Sequence, residues 1–133
     1  MGYQHRYLDG SLLDLPVGKV VCIGRNYPDH IRELNSAVPE TPILFMKPDT
    51  ALLGLDESIR LLKGRGECHH EVELAVLVGQ PLRNADAAMA HQAVAGYGIA
   101  LDLTLRDVQN ELKKRGYPWE IAKAFDGSCP LSP

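Results

Sequence analysis

The chain has 133 residues, room for one ordinary domain, and a hydrophobic content of 45% that is enough to build a core. Its 14 basic side chains stand against 17 acidic ones, and the formal net charge of -3 argues against nucleic acid or an anionic membrane as the main partner. No apolar run approaches the roughly 20 residues that cross a bilayer, and the opening MGYQHRYLDG lacks the apolar stretch of a signal peptide.

Lys19 to Ile23 (KVVCI) predicts a short strand that Gly24 ends. Pro28, which suits a first helical turn, opens a helix over Pro28 to Leu34, and Asn35-Ser36 closes it. Ile43 to Met46 reads as a buried strand. Ala51 to Leu53 and Ile59 to Leu62 are weaker strand candidates, and Gly64 to Glu67 is a polar turn. The strongest strand pattern is His69 to Val78. One of its faces carries His69, Glu71, Glu73, Ala75 and Leu77; the other carries His70, Val72, Leu74, Val76 and Val78. Gly79 and Pro81 stop it. Asp86 predicts the cap of an alanine-rich helix over Ala87 to Ala95.

Tyr97 to Leu103 reads as another strand, and Leu105 to Arg115 as an amphipathic helix. The stripe of that helix is Leu105, Val108 and Leu112, and its stop is Gly116. Trp119 to Pro133 is apolar and irregular. Strands outweigh short helices, so the expected class is α+β with β dominant, in a single domain. The cysteines, Cys22, Cys68 and Cys129, are odd in number and widely spaced, with no CxxC pair. That pattern argues against a zinc knuckle or a redox motif and reads as reduced thiols in a cytoplasmic protein.

Three carboxylates carry the most chemical information. Glu71 and Glu73 stand at i and i+2 on a strand, hence on one face and about 7 Å apart along the backbone. Alternating glutamates are also ordinary on a solvated strand face. Here, however, their own face continues into Ala75 and Leu77, and Asp102 lies inside the apolar strand Ile99 to Leu103. Buried like charges are costly unless a cation neutralises them. An all-oxygen cluster suits Mg²⁺ or Mn²⁺ better than zinc. His30 and Glu33, at i and i+3 on the predicted helix, form either a carboxylate-steered general base or an exposed surface pair. Lys123, in IAKAF, either steadies developing negative charge or snorkels to solvent. Arg106 and Gln109 either bind a substrate carboxylate or are solvated.

The segments GRNYPDHIRELN, PILFMKPDTAL, HHEVELAVLVG, GYGIALDLTLRDVQ and KKRGYPWEIAKAFDGSCPLS, in that order, resemble the fumarylacetoacetate hydrolase superfamily. The likeness is to its small single-domain members: the acylpyruvase and oxaloacetate decarboxylase type, and the isomerase/decarboxylases of homoprotocatechuate-type aromatic catabolism. It implies a mixed β-sandwich or roll with short peripheral helices, usually a homodimer. It implies Glu71, Glu73 and Asp102 as ligands of Mg²⁺ or Mn²⁺, a His30/Glu33 catalytic dyad on a lid helix, and Lys123 as the enolate-stabilising lysine. Arg25, Asn26, Lys47 and Gln109 fall in blocks that line the substrate pocket. The implied activity is hydrolysis or decarboxylation of a small 2-oxo or dioxo acid, with the isomerase as an alternative. Family members continue beyond this point with further strands and a glycine-rich segment. The resemblance therefore implies a domain over 1–133 cut short at its C-terminal side, and a catalytically inactive partial domain is a further alternative.

Overall fold

The computed structural model describes residues 2–27 and 39–133. Along them run strands β1 (Val20–Gly24), β2 (Ile43–Lys47), β3 (Leu52–Gly54), β4 (Cys68–Val78), β5 (Val94–Leu105) and β6 (Cys129–Leu131). The helices are α1 (Ala87–Gln92), α2 (Arg106–Arg115) and α3 (Glu120–Lys123), and a 3₁₀ turn over Asp49–Ala51 leads into β3. The class is α+β with strands dominant, as the sequence predicts. The helix predicted over 28–34, with His30 and Glu33, lies outside the described residues.

β1 and β2 pair antiparallel as one sheet, and the other sheet has the order β3-β6-β5-β4. β3 runs parallel to β6, while β5 is antiparallel to both of its neighbours. The β4–β5 ladder organises the molecule. Its register sets Glu71 opposite Asp102, Glu73 opposite Ala100, and Ala75 opposite Gly98. A bulge at the far end, where Leu77 meets Gly96 and Val78 meets Val94, shifts the register only there, away from the acidic residues. The Glu71/Glu73/Ala75/Leu77 face of β4 turns inward and is half-buried, whereas Val72, Leu74, Val76 and Val78 are exposed on the outer face. Tyr97 and Ile99 of β5 join that exposed apolar face.

A small core of Ala51, Leu52, Ala100 and Cys129 sits under the inner face, with Tyr3, Val20 and Ala75 packed against it. Next to it the interior turns polar, with Lys47, Asp102, Thr104, Gln109, Lys123 and Ser128 all buried.

Several elements differ from the sequence expectation. Ile59 to Leu62 forms no strand: the segment is exposed and has no ladder partner among the described residues, and a lone strand has no stability of its own. The segment Trp119 to Pro133 is not irregular throughout but holds α3 and β6. β6 has three residues, one of them Pro130, and is too short for a periodic signal. The alanine-rich helix stops at Gln92 because Val94 is taken into the long β5 ladder, so pairing overrides helix propensity. The predicted stripe of α2 is also displaced. Its buried residues are Arg106 and Gln109, with Val108 and Leu112 only half-buried, because the helix starts directly from β5 and turns its first polar residues toward β4. Gly116, at φ 69, ends α2 in the left-handed conformation that glycine adopts without strain. Among the described residues no helix is long and apolar enough to cross a membrane.

Leu105 closes β5 at 2% exposure, beneath the start of α2. Truncation to Leu105→Ala is expected to cost about 2–5 kcal/mol, read as a lower denaturant midpoint with an unchanged slope.

Candidate functional site

The ladder register makes the site. Directly opposed residues of an antiparallel pair share a face, with Cβ atoms about 5 Å apart. Glu71 and Asp102 are such a pair, and Glu73 lies one pleat further along β4 on the same side. The three carboxylates can each offer an oxygen within 4.8 Å of the others. A slip of one residue would turn both glutamates to the solvent face.

Basic groups close around this cluster. Lys123, at the end of α3 and 2% exposed, donates to Asp102 Oδ2 at 2.5 Å, to Glu71 Oε2 at 3.0 Å and to Thr104 Oγ1 at 2.6 Å. Its ammonium also lies 5.1 Å from the centre of the Phe45 ring, within reach of a cation–π attraction. Arg106 pairs with Glu71, donates to Gln109 Oε1 at 2.6 Å, and donates through Nε to His69 Nδ1 at 3.3 Å. Lys47, at the end of β2, stands 2.9 Å from Asp102 Oδ1.

Burial alone would push the Glu71 carboxyl up, but the Lys123 and Arg106 charges hold it below the ordinary glutamate value. Burial pushes Glu73 up, and the neighbouring Asp102 and Glu71 charges add to that, against a hydrogen bond from Tyr27. Among the described residues Glu73 has no basic ion-pair partner. Burial pushes the Cys22 thiol to about 12 and the Cys129 thiol to about 11, so both stay protonated and are poor nucleophiles. All three cysteines are free, as expected.

The donor set fits a hard divalent cation. It is all oxygen. Asp102 Oδ1 is buried without a hydrogen bond, since Lys47 approaches it off the bonding direction. Glu73, which burial and the Asp102 and Glu71 charges push up, has no basic ion-pair partner among the described residues, and a cation would offset its charge. Oxygens bound at about 2.1 Å to one Mg²⁺ stand at most about 4.2 Å apart, so small side-chain rotations would close the set.

A cavity of about 1070 Å³ opens in front of the carboxylates, and Arg25, Asn26, Tyr27, Gln109 and Trp119 are on its wall. The structure thus brings together Glu71, Glu73, Asp102, Arg106, Gln109 and Lys123. Arg25 and Asn26 lie on the wall without a polar contact to the carboxylates among those described. Arg25 holds a left-handed backbone, φ 54, unusual for a residue with a side chain. Gly24 lets Trp119 pack close, since a Cβ there would sit 3.3 Å from the indole. Sequence reasoning missed Thr104, Phe45 and Tyr27. Thr104 was findable: it follows Asp102 by one pleat and therefore shares its face.

A family model described as fumarylacetoacetate (FAA) hydrolase C-terminal matches residues 19–133. The chain is 60% identical over 130 residues to the oxaloacetate tautomerase YcgM of Escherichia coli, a match over 98% of this chain and 59% of that protein. It is 48% identical over 113 residues to the human mitochondrial oxaloacetate tautomerase FAHD1, covering 85% of this chain and 51% of that one. Among solved structures, it matches a protein of Yersinia pestis CO92 assigned to the fumarylacetoacetate hydrolase family with a TM-score of 0.96 and 55% identity, over 98% of this chain and 60% of that one. It also matches the fumarylpyruvate hydrolase of Pseudomonas aeruginosa, solved in complex with Mn²⁺ and pyruvate, with a TM-score of 0.81 and 37% identity, over 89% and 53%. The chain spans between about half and three fifths of the length of these relatives.

The charge arrangement separates two of the carboxylates. In metal-free buffer Asp102→Asn leaves buried Lys47 and Lys123 short of a counter-charge and is expected to cost about 3–5 kcal/mol. Glu73→Gln relieves repulsion and should leave stability within about 0.5 kcal/mol of the parent or raise it. Equal losses in denaturant melts would contradict this division of charge.

Proposed function

Because the chain belongs to the fumarylacetoacetate hydrolase family, matched over residues 19–133, we propose that it carries the divalent-cation site of an enzyme acting on small 2-oxo acids of the oxaloacetate type, by enolisation beside the 2-oxo group. The observation that supports this most is the convergence of Glu71, Glu73 and Asp102 within 4.8 Å, with Lys123, Arg106 and Gln109 at the same mouth.

Glu71, Glu73 and Asp102 would hold Mg²⁺ or Mn²⁺. When bound, the cation supplies Lewis-acid polarisation of a 2-oxo acid's carboxylate and keto oxygens. Every other contribution comes from the chain. Arg106 and Gln109, set one helical turn apart on the buried side of α2, present N–H donors suited to a substrate carboxylate. Lys123 shares its three N–H groups among Asp102, Glu71 and Thr104. With the carboxylates held by a cation, one N–H would be available to the 2-oxo oxygen, where it would stabilise growing negative charge. Arg25 and Asn26, on the cavity wall, are the proposed contacts for the rest of the substrate.

His30, steered by Glu33, is the proposed proton carrier. It takes a proton from the carbon next to the 2-oxo group, and a proton delivered to the oxygen completes the keto-to-enol exchange without change in composition. Both residues rest on the sequence reading alone. The YcgM and FAHD1 names favour tautomerisation. The fumarylpyruvate hydrolase favours a second reading, in which the same histidine activates water against a neighbouring carbonyl and a C–C bond breaks.

Titration of the purified protein with Mn²⁺ should show a single tight site that Glu73→Gln abolishes. In the Mn²⁺-loaded protein supplied with oxaloacetate, His30→Ala should lower kcat by about 10²–10⁴ while Mn²⁺ affinity stays unchanged. Parent-like Mn²⁺ binding in Glu73→Gln would overturn the metal assignment. Parent-like turnover in His30→Ala would overturn the proton carrier. A fumarylpyruvate-type substrate converted faster than oxaloacetate would select the hydrolase.

A further inference from the structure

Among the described residues Lys47, at the end of β2, is with Lys123 the bulkiest fully buried side chain, and its exposure is 0%. Its ammonium faces five oxygens. It donates to the Leu103 carbonyl at 3.3 Å, the Ser128 carbonyl at 3.0 Å, the Ser128 hydroxyl at 3.1 Å and the Lys123 carbonyl, and it pairs with Asp102 Oδ1 at 2.9 Å. Four hydrogen-bond acceptors for three N–H groups, with the Asp102 carboxylate beside them, leave no donor for a ligand. The aromatic ring of Phe125 covers another side, 6.0 Å from the ammonium to its centre.

The partners belong to separate elements. Lys47 ends the two-stranded sheet, Asp102 and Leu103 are in β5 of the other sheet, Lys123 ends α3, and Ser128 precedes β6. The Lys123 carbonyl is one of the acceptors that a helix end leaves unsatisfied, and Ser128 Oγ also donates to it, at 2.9 Å. Lys47 therefore fixes the backbone from which the Lys123 side chain departs. It also stands against one oxygen of Asp102 while Lys123 bonds the other at 2.5 Å.

We infer that Lys47 is a positioning residue and not a substrate ligand: one buried ammonium ties β2 to β5, α3 and the β6 approach, and so sets the relative placement of Asp102 and Lys123. Lys47 is among the residues that line the cavity, where the resemblance places it, but its N–H groups are turned to the protein's own oxygens; the inference rests on the proposed cation site. The side chain must be a lysine. A guanidinium is broader and planar and cannot aim three bonds from one point, whereas methionine fills the volume but leaves three carbonyls and a carboxylate oxygen without their cation.

Two measurements test it. Lys47→Arg and Lys47→Met, kept at a temperature where circular dichroism shows them folded, should bind Mn²⁺ about 10–100-fold more weakly than the parent, the usual cost of removing a group that holds a metal ligand. On oxaloacetate they should lose kcat with KM little changed. A fold-only role would leave Mn²⁺ affinity of the folded protein unchanged, and a substrate-binding role would raise KM alone; either result overturns the inference. The second measurement needs no variant. Reductive methylation of the native protein, read by mass spectrometry, should leave Lys47 unmodified both with and without Mn²⁺ and oxalate. A Lys47 that is methylated in the free protein and protected by Mn²⁺ with oxalate would overturn the inference even if neither variant folds. A parent that binds no Mn²⁺ would sink the cation-site reading itself, an outcome separate from these.

Discussion

The pairing of Glu71 with Asp102 across the β4–β5 ladder is the constraint on which the site depends. Cross-strand partners share a face, so this one register places two carboxylates side by side, and the pleat adds Glu73 to the same side. Three anions on one half-buried face repel one another and lose hydration. The surrounding fold is arranged against that cost. α2 leaves β5 without a loop and swings Arg106 onto Glu71, α3 delivers Lys123 between Glu71 and Asp102, and β2 ends on Lys47 beside Asp102.

The compensation is uneven. Asp102 has two lysines and Glu71 has a lysine and an arginine, while Glu73 has a tyrosine hydrogen bond and no basic partner among the described residues. A divalent cation held by the three would complete what the basic side chains leave undone, and it would loosen the hold of Glu71 and Asp102 on Lys123. Lys123 bridges Glu71 and Asp102 and so stabilises the cluster itself.

Much of this was legible in the sequence. The HHEVELAVLVG alternation gave β4 and its inward glutamate face, and the position of Asp102 in an apolar strand marked it as a carboxylate in need of a partner. The resemblance to the fumarylacetoacetate hydrolase superfamily, carried by ordered blocks from Lys19 onward, is matched by the family model. What the sequence did not show is register. Nothing local says that Glu71 faces Asp102, since that depends on pairing between strands separated by α1. The burial of Lys47 was hidden for the same reason: its five oxygen partners come from β5, α3 and the loop before β6, all distant in sequence. The α2 stripe misled because the apolar residues Val108 and Leu112 suggest a packing face, while the tertiary demand on that helix is electrostatic. β6 was invisible because three residues around a proline carry no period.

The central claim is that Glu71, Glu73 and Asp102 converge on one divalent cation. The measurement that tests it most directly is an anomalous difference map from crystals of the protein soaked in Mn²⁺. The account predicts a single strong peak bonded to one oxygen of each of the three carboxylates at about 2.0–2.3 Å, with the Lys123 ammonium withdrawn from at least one of them. A map with no peak there at saturating Mn²⁺, and Lys123 still bridging Glu71 and Asp102, would contradict it.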